Sequence, residues 1–255
     1  MDSKNVIMAV ILSTLVLVGW GVFFEGPIVE QNPSEEKVLT DENTTPSIDK
    51  TKTSEKISRN ETINKVKRIK LENNNIMGSI SLEGGVIDDI VFKNYKTSLK
   101  SEENVIFLSP KNSQEGYYIE SGWASSGNEN LKLPINSTDW QVKSGNILNP
   151  NNPIILEWNN GEGLVFTKKI EIDDKFLFKI TQGIENNSNK SYQFFPYAQI
   201  TRNYKPKVTP IYILHEGFIG VFGDELKEMD YEDVDKEKFI INNSKGWLGI
   251  TDKYW

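Results

Sequence analysis

The sequence predicts a mainly β protein, an antiparallel sandwich or barrel set behind an N-terminal apolar helix. Three observations carry this. Residues 6–24 hold no charged side chain. From about Lys65 onward, short runs of β-branched and aromatic residues alternate with Asn, Gly and Asp turn signals. That body shows no helical period in its apolar residues, with an exception at its very end.

The apolar run comes first. It is about 19 residues long, or roughly 28 Å as a helix, enough to cross a hydrocarbon core about 30 Å thick. Trp20, Phe23 and Phe24 stand at its far end, where aromatic rings favour the membrane interface. The α-amino group and Lys4 precede it, and Glu25, Glu30, Glu35 and Glu36 come after it, which predicts a cytoplasmic N-terminus and an exported body. A cleaved signal peptide is the alternative. The run exceeds the usual length of such a peptide and ends on bulky residues without a small-x-small cleavage site, so an uncleaved anchor is expected. Both readings export the remainder of the chain.

Residues 25–64 are rich in Glu, Asn, Thr, Ser, Lys and Pro, with isolated apolar residues at Val38, Leu39, Ile48 and Ile57. Such a stretch buries too little apolar surface to offset its ordering entropy, and it reads as a disordered tether. The β body is expected over residues 65–245. Residues 76–82 and 86–92 flank Gly84-Gly85, and residues 154–158 and 164–172 flank Asn159-Asn160-Gly161-Glu162-Gly163, a strong hairpin signal. Asp173-Asp174 makes the next turn before residues 176–184. The end, residues 246–255, mixes Trp247, Leu248, Ile250, Tyr254 and Trp255 with Asp252 and Lys253. It is expected to be an amphipathic interfacial segment, with a strand or terminal helix packed on the core as the alternatives.

Composition limits the chemistry. The chain has 255 residues, a formal charge of −7, no Cys and one His. The absence of Cys excludes thiol catalysis and Cys-ligated zinc, and an acidic exported body lacks the basic footprint that nucleic acid requires. His215-Glu216 resembles an acid/base pair, but neighbours on a strand point to opposite faces. Asp88-Asp89 and Asp173-Asp174 could be carboxylate pairs, yet adjacent Asp residues at strand ends more often form turns. Asp230, Glu232, Asp233 and Asp235 alternate like a calcium loop but lack the glycine its sharp turn needs, and they read as a solvated acidic face. Asn60-Glu61-Thr62 and Asn136-Ser137-Thr138 match a glycosylation sequon, as chance provides in so Asn-rich a chain. No nucleophile motif, phosphate loop or metal cluster emerges, and the expectation is a non-enzyme without a cofactor.

Several stretches together resemble one family. Met1-Asp2-Ser3-Lys4-Asn5 before the apolar helix, Gly84-Gly85 with Asn94-Tyr95, and Trp158-Asn159-Asn160-Gly161 appear in that order. They are succeeded by His215-Glu216-Gly217-Phe218-Ile219-Gly220, then by Gly246-Trp247-Leu248-Gly249-Ile250-Thr251-Asp252-Lys253-Tyr254-Trp255. In this order they resemble the opening part of the bacterial YidC-type membrane protein insertases. The resemblance implies a first transmembrane helix, then a periplasmic β-supersandwich of the galactose-mutarotase type with a short helical end. It also implies work on nascent inner-membrane proteins in the lipid bilayer, alone or beside the Sec translocon, with an accessory Sec subunit as a contact of this domain. The family's inserting groove lies in later helices, so the expectation is an N-terminal part devoted to anchoring and partner contact. The alternative is a free-standing anchored domain that binds peptides or glycans. Mutarotase chemistry needs more than one His beside a Glu, and His215 stands alone.

Overall fold

The computed structural model describes residues 57–126, 131–206, 215–234, 236, 241 and 245–252. The apolar run, most of the proposed tether, Asp235, Tyr254 and Trp255 lie outside them. Among the described residues no helix is long and apolar enough to cross a membrane.

One short helix, α1 (Arg59–Lys65), opens the described chain. Fourteen strands come after it: β1 (Arg68–Glu72), β2 (Ile76–Ser81), β3 (Val86–Lys96), β4 (Asn104–Leu108), β5 (Tyr117–Ser126), β6 (Gln141–Ser144), β7 (Ile147–Leu148), β8 (Ile154–Asn159), β9 (Leu164–Ile172), β10 (Phe178–Asn186), β11 (Gln193–Arg202), β12 (Gly217–Phe222), β13 (Glu225–Asp230) and β14 (Gly246–Thr251). They form three sheets. The largest runs β11-β5-β3-β2-β1-β7, with β4 also on β3; the second runs β10-β9-β8-β6; the third runs β13-β12-β14. The pairings are antiparallel except for β1 with β7.

The first two sheets enclose the core. Along β9 burial alternates strictly, and Leu164, Phe166, Lys168, Ile170 and Ile172 point inward. The four apolar ones meet Leu71, Ile80, Ile90, Trp123, Trp140 and Leu156 in one cluster. Aromatic rings tie the sheets together: Trp123 lies edge-on to Phe166, with centroids 5.1 Å apart, and stacks on Trp140 at 6.2 Å. On the side where β10 leads into β11, each is an edge of its sheet among the described residues. Pro196 sits within β11, opposite Trp123.

The β8–β9 hairpin obeys its turn chemistry. Asn160 Oδ1 accepts from the amides of Glu162 and Leu164, and Gly161 and Gly163 take positive φ. Asp173 Oδ1 accepts from the amides of Lys175 and Leu177, making the β9–β10 turn.

Residues 57–64, which composition assigns to the tether, are described and carry most of α1, held by polar contacts that composition does not register. One expectation is corrected. The C-terminal end is not helical over its described part. Residues 246–251 are a strand because β12 offers them a complete antiparallel partner.

Candidate partner-contact site

The two late motifs are 25 or more residues apart in sequence, and the third sheet pairs them directly. Gly217 lies opposite Thr251, Phe218 opposite Ile250, and Gly220 opposite Leu248. The glycines are dictated by close backbone approach. A Cβ on Gly246 would lie 1.7 Å from the carbonyl oxygen of Val221, and one on Gly217 would lie 2.2 Å from that of Met229. A Cβ on Gly220 would run into the Phe222 ring at 2.7 Å.

Directly opposed residues project from one face of a sheet. Leu226, Val221 and Trp247 therefore form a row across all three strands, and Leu226 and Trp247 are each 55% exposed. The Met229–Phe218–Ile250 row projects from the other face, where Ile250 packs on the core. Phe218 and Leu248 on that face are nonetheless 37% and 64% exposed, so the small sheet shows apolar side chains on both faces.

Arg202, at the end of β11, fastens this sheet to the body. Its guanidinium donates to both carboxylate oxygens of Asp252, at 2.9 and 2.7 Å, and to the hydroxyls of Tyr231 and Tyr204, each at 2.9 Å. It also lies over the rings of Tyr117 and Tyr204 at 4.8 and 4.5 Å. Burial alone would lower its pKa, but the bonds to Asp252 and Tyr204 hold it above the ordinary value. Burial pushes the Tyr117 hydroxyl up to about 12, and burial and the Asp252 bond raise that of Tyr231. Sequence reasoning missed Arg202, which no motif surrounds.

His215 does not pair with Glu216. Its Nδ1 lies 3.0 Å from Asp230 Oδ1 and its Nε2 lies 2.9 Å from the Phe218 carbonyl oxygen, so the ring pins the entry to β12 against the end of β13. Asp230, Glu232 and Asp233 serve their own neighbourhood. The Asp233 amide donates to the Asp230 carbonyl, Glu232 pairs with Lys205, and Asp233 pairs with Lys236. Among the described residues no group of three or more His, Cys, Asp or Glu is placed to hold a metal.

The earlier motifs have structural roles. Gly84 and Gly85 turn β2 into β3 with φ of 74° and 61°. A Cβ on Gly85 would lie 3.3 Å from both Lys168 Nζ and the Trp140 ring. Lys168 is 1% exposed, and its ammonium donates to the carbonyls of Gly84 at 3.0 Å and Ser121 at 2.7 Å, with Gly85 at 3.4 Å. Burial pushes its pKa down to about 8 against the opposing pull of Glu120. A small cavity of about 10 Å³ beside it is lined in part by Gly84, Trp140 and Tyr197. Asn94 and Tyr95 lie near the end of β3. Asn94 bonds the side chain of Asn75 at 3.2 Å, and Tyr95 packs edge-on to Phe92 at 5.6 Å.

Asp88 and Asp89 do not form a turn. They sit within β3, where Ser79 pairs with Asp89 and Ile80 with Ile87, leaving Asp88 as the extra residue of a β-bulge. The bulge turns both carboxylates to one side. Arg68 pairs with Asp88, Arg59 pairs with Asp89, and the Ser79 hydroxyl donates to Asp89 at 2.5 Å. Burial raises the Asp88 pKa to about 6, partly opposed by Arg68.

Two large sheets around one core, antiparallel but for β1 with β7, and a third sheet that joins the two late motifs, define a β-supersandwich domain. The family model described as the YidC periplasmic domain matches residues 68–255, and the chain belongs to that family. Its whole length is 42% identical to the membrane protein insertase YidC of Pelagibacter ubique, covering 46% of that protein. It is 35% identical to the namesake from Beijerinckia indica, covering 46%, and 36% identical to that from Bradyrhizobium diazoefficiens, covering 45%. The chain thus spans about half the length of the curated relatives it matches.

Proposed function

We propose that this chain is the anchoring and partner-contact portion of a membrane protein insertase. In this reading residues 6–24 hold it in the inner membrane with the N-terminus cytoplasmic, and the β body stands in the periplasm on its tether. Insertion of nascent inner-membrane proteins belongs to parts of the insertase beyond this chain, and the small sheet meets a protein partner, an accessory subunit of the Sec translocon. The observation that carries the reading is the exposed Leu226–Val221–Trp247 row, presented by a sheet in which both late motifs are paired.

Two experiments test it. The chain has no Cys, so a single Asn189→Cys substitution gives one labelling site in the exposed β10–β11 turn. A membrane-impermeant maleimide should label it in intact spheroplasts, and protection until lysis would overturn the topology. A photo-crosslinking amino acid at Trp247 should give adducts with a translocon subunit, and the same amino acid at Tyr95 should not. Equal adducts from both positions, or none from Trp247, would overturn the contact.

A further inference from the structure

We propose that residues 57–65 are a releasable strap, caught by Arg59 on the buried carboxylate of Asp89, that sets how far the N-terminal arm of the chain reaches. α1 has seven residues, fewer than the roughly 12–15 that make an isolated helix even marginally stable in water. Thr62 is its one buried residue. Ile57 and Ile63 are half-buried, and no described residue before Ile69 belongs to the hydrophobic core cluster. The core therefore closes without the strap, and the strap rests on polar catches.

Two catches hold the strap to the body, and one local contact stiffens the strap itself. Ile57 forms a bridge with Ser113, and the Gln114 amide donates to the Ile57 carbonyl at 3.1 Å. Ser58 and Glu61 form a reciprocal capping box. Arg59 reaches Asp89, which is 3% exposed and otherwise held by the Ser79 hydroxyl. The Arg59 catch decides the balance. Without Arg59 the Asp89 carboxylate would stay buried with a single neutral donor from Ser79, and an uncompensated buried charge is costly. The socket itself does not depend on the strap, because the bulge in β3 aims both carboxylates and Arg68 stays on Asp88.

Release frees nine residues, about 30 Å of extended chain. That this lengthens the reach from a bilayer rests on the anchor reading, whereas the strap itself does not. Maleimide labelling of the Asn189→Cys variant tests the anchor separately, so the two can fail independently.

Hydrogen exchange on the full chain, solubilised or in nanodiscs, tests the strap. The amides of Ser58, Glu61, Thr62 and Gln114 should exchange as one set, at least about 100-fold faster than those of β9, yet remain measurably protected. Arg59→Ala and, independently, Ser58→Ala should each accelerate this set about tenfold or more and leave β9 unchanged. Three results would overturn the proposal: exchange of the set at the β9 rate, no protection of the set in the wild type, or equal acceleration of β9 in both variants.

Discussion

Lys168 Nζ stands 2.7 Å from the carbonyl oxygen of Ser121, so a charge on the four-stranded sheet is bonded to the backbone of the seven-stranded one. The same ammonium reaches Gly84, which joins the β2–β3 turn to this link. Replacing Lys168 with Met leaves those buried carbonyls without their donor. The variant should lose roughly 2–3 kcal/mol of stability in urea titrations near neutral pH.

This lysine also sets a pH dependence. Its pKa is about 8 when folded and 10.5 ordinarily. Between those values the unfolded chain holds a proton that the folded chain has shed, so the contribution of Lys168 to stability rises with pH. Urea midpoints taken between about pH 8 and 9.5 should show the gap between wild type and Lys168→Met widening. Above that window the raised pKa values of Tyr117 and Tyr231 act in the opposite direction.

Asp88 gives the opposite slope at lower pH. Its pKa is about 6 when folded and 3.8 ordinarily, so the folded chain binds the extra proton between them. Its contribution to stability falls as pH rises through that window. The stability difference between wild type and Asp88→Asn should therefore shrink from pH 4 to pH 6, and a flat difference would count against the assignment.

The third sheet offers a paired test of backbone crowding. Gly246→Ala forces a Cβ into the Val221 carbonyl, whereas nothing lies within 4 Å of a Cβ on Gly249. Gly246→Ala should unpair β14 and abolish protection of the small sheet in hydrogen exchange. Gly249→Ala should shift stability by less than about 0.5 kcal/mol.

Arg202→Ala removes the fastening between that sheet and the body. It leaves Asp252 without the Nη1 donor that bonds both of its oxygens and should cost about 3 kcal/mol of local stability. Limited proteolysis should cut faster between residues 203 and 252 while the β8–β9 hairpin stays intact. Arg202→Lys should be cut as fast, since an ammonium lacks the planar fork that also stacks on Tyr117 and Tyr204.

Much of the architecture was legible because strand periodicity and turn residues act locally. Residues 164–172 read as a strand and are β9, and Asn159-Asn160-Gly161 does turn β8 into it. The same parity held a signal that went unread: Lys168 shares the register of Leu164, Phe166, Ile170 and Ile172, so alternation alone points it inward. The Asp88-Asp89 reading failed because a bulge depends on the partner strand, which a single segment does not reveal. Arg202 and Asp252 are 50 residues apart, and only tertiary pairing joins them. Tyr254 and Trp255 lie outside the described residues.

Pro196 bears on how copies of the chain meet one another. β11 is 10 residues long and closes the largest sheet with an edge that pairs on one side only, among the described residues. A second copy that tried to extend the sheet would need an unbroken ladder along it. Proline supplies no N–H, so the template divides into two short runs at residue 196. At high local concentration, that one imino acid guards against neighbouring copies zippering into fibrils.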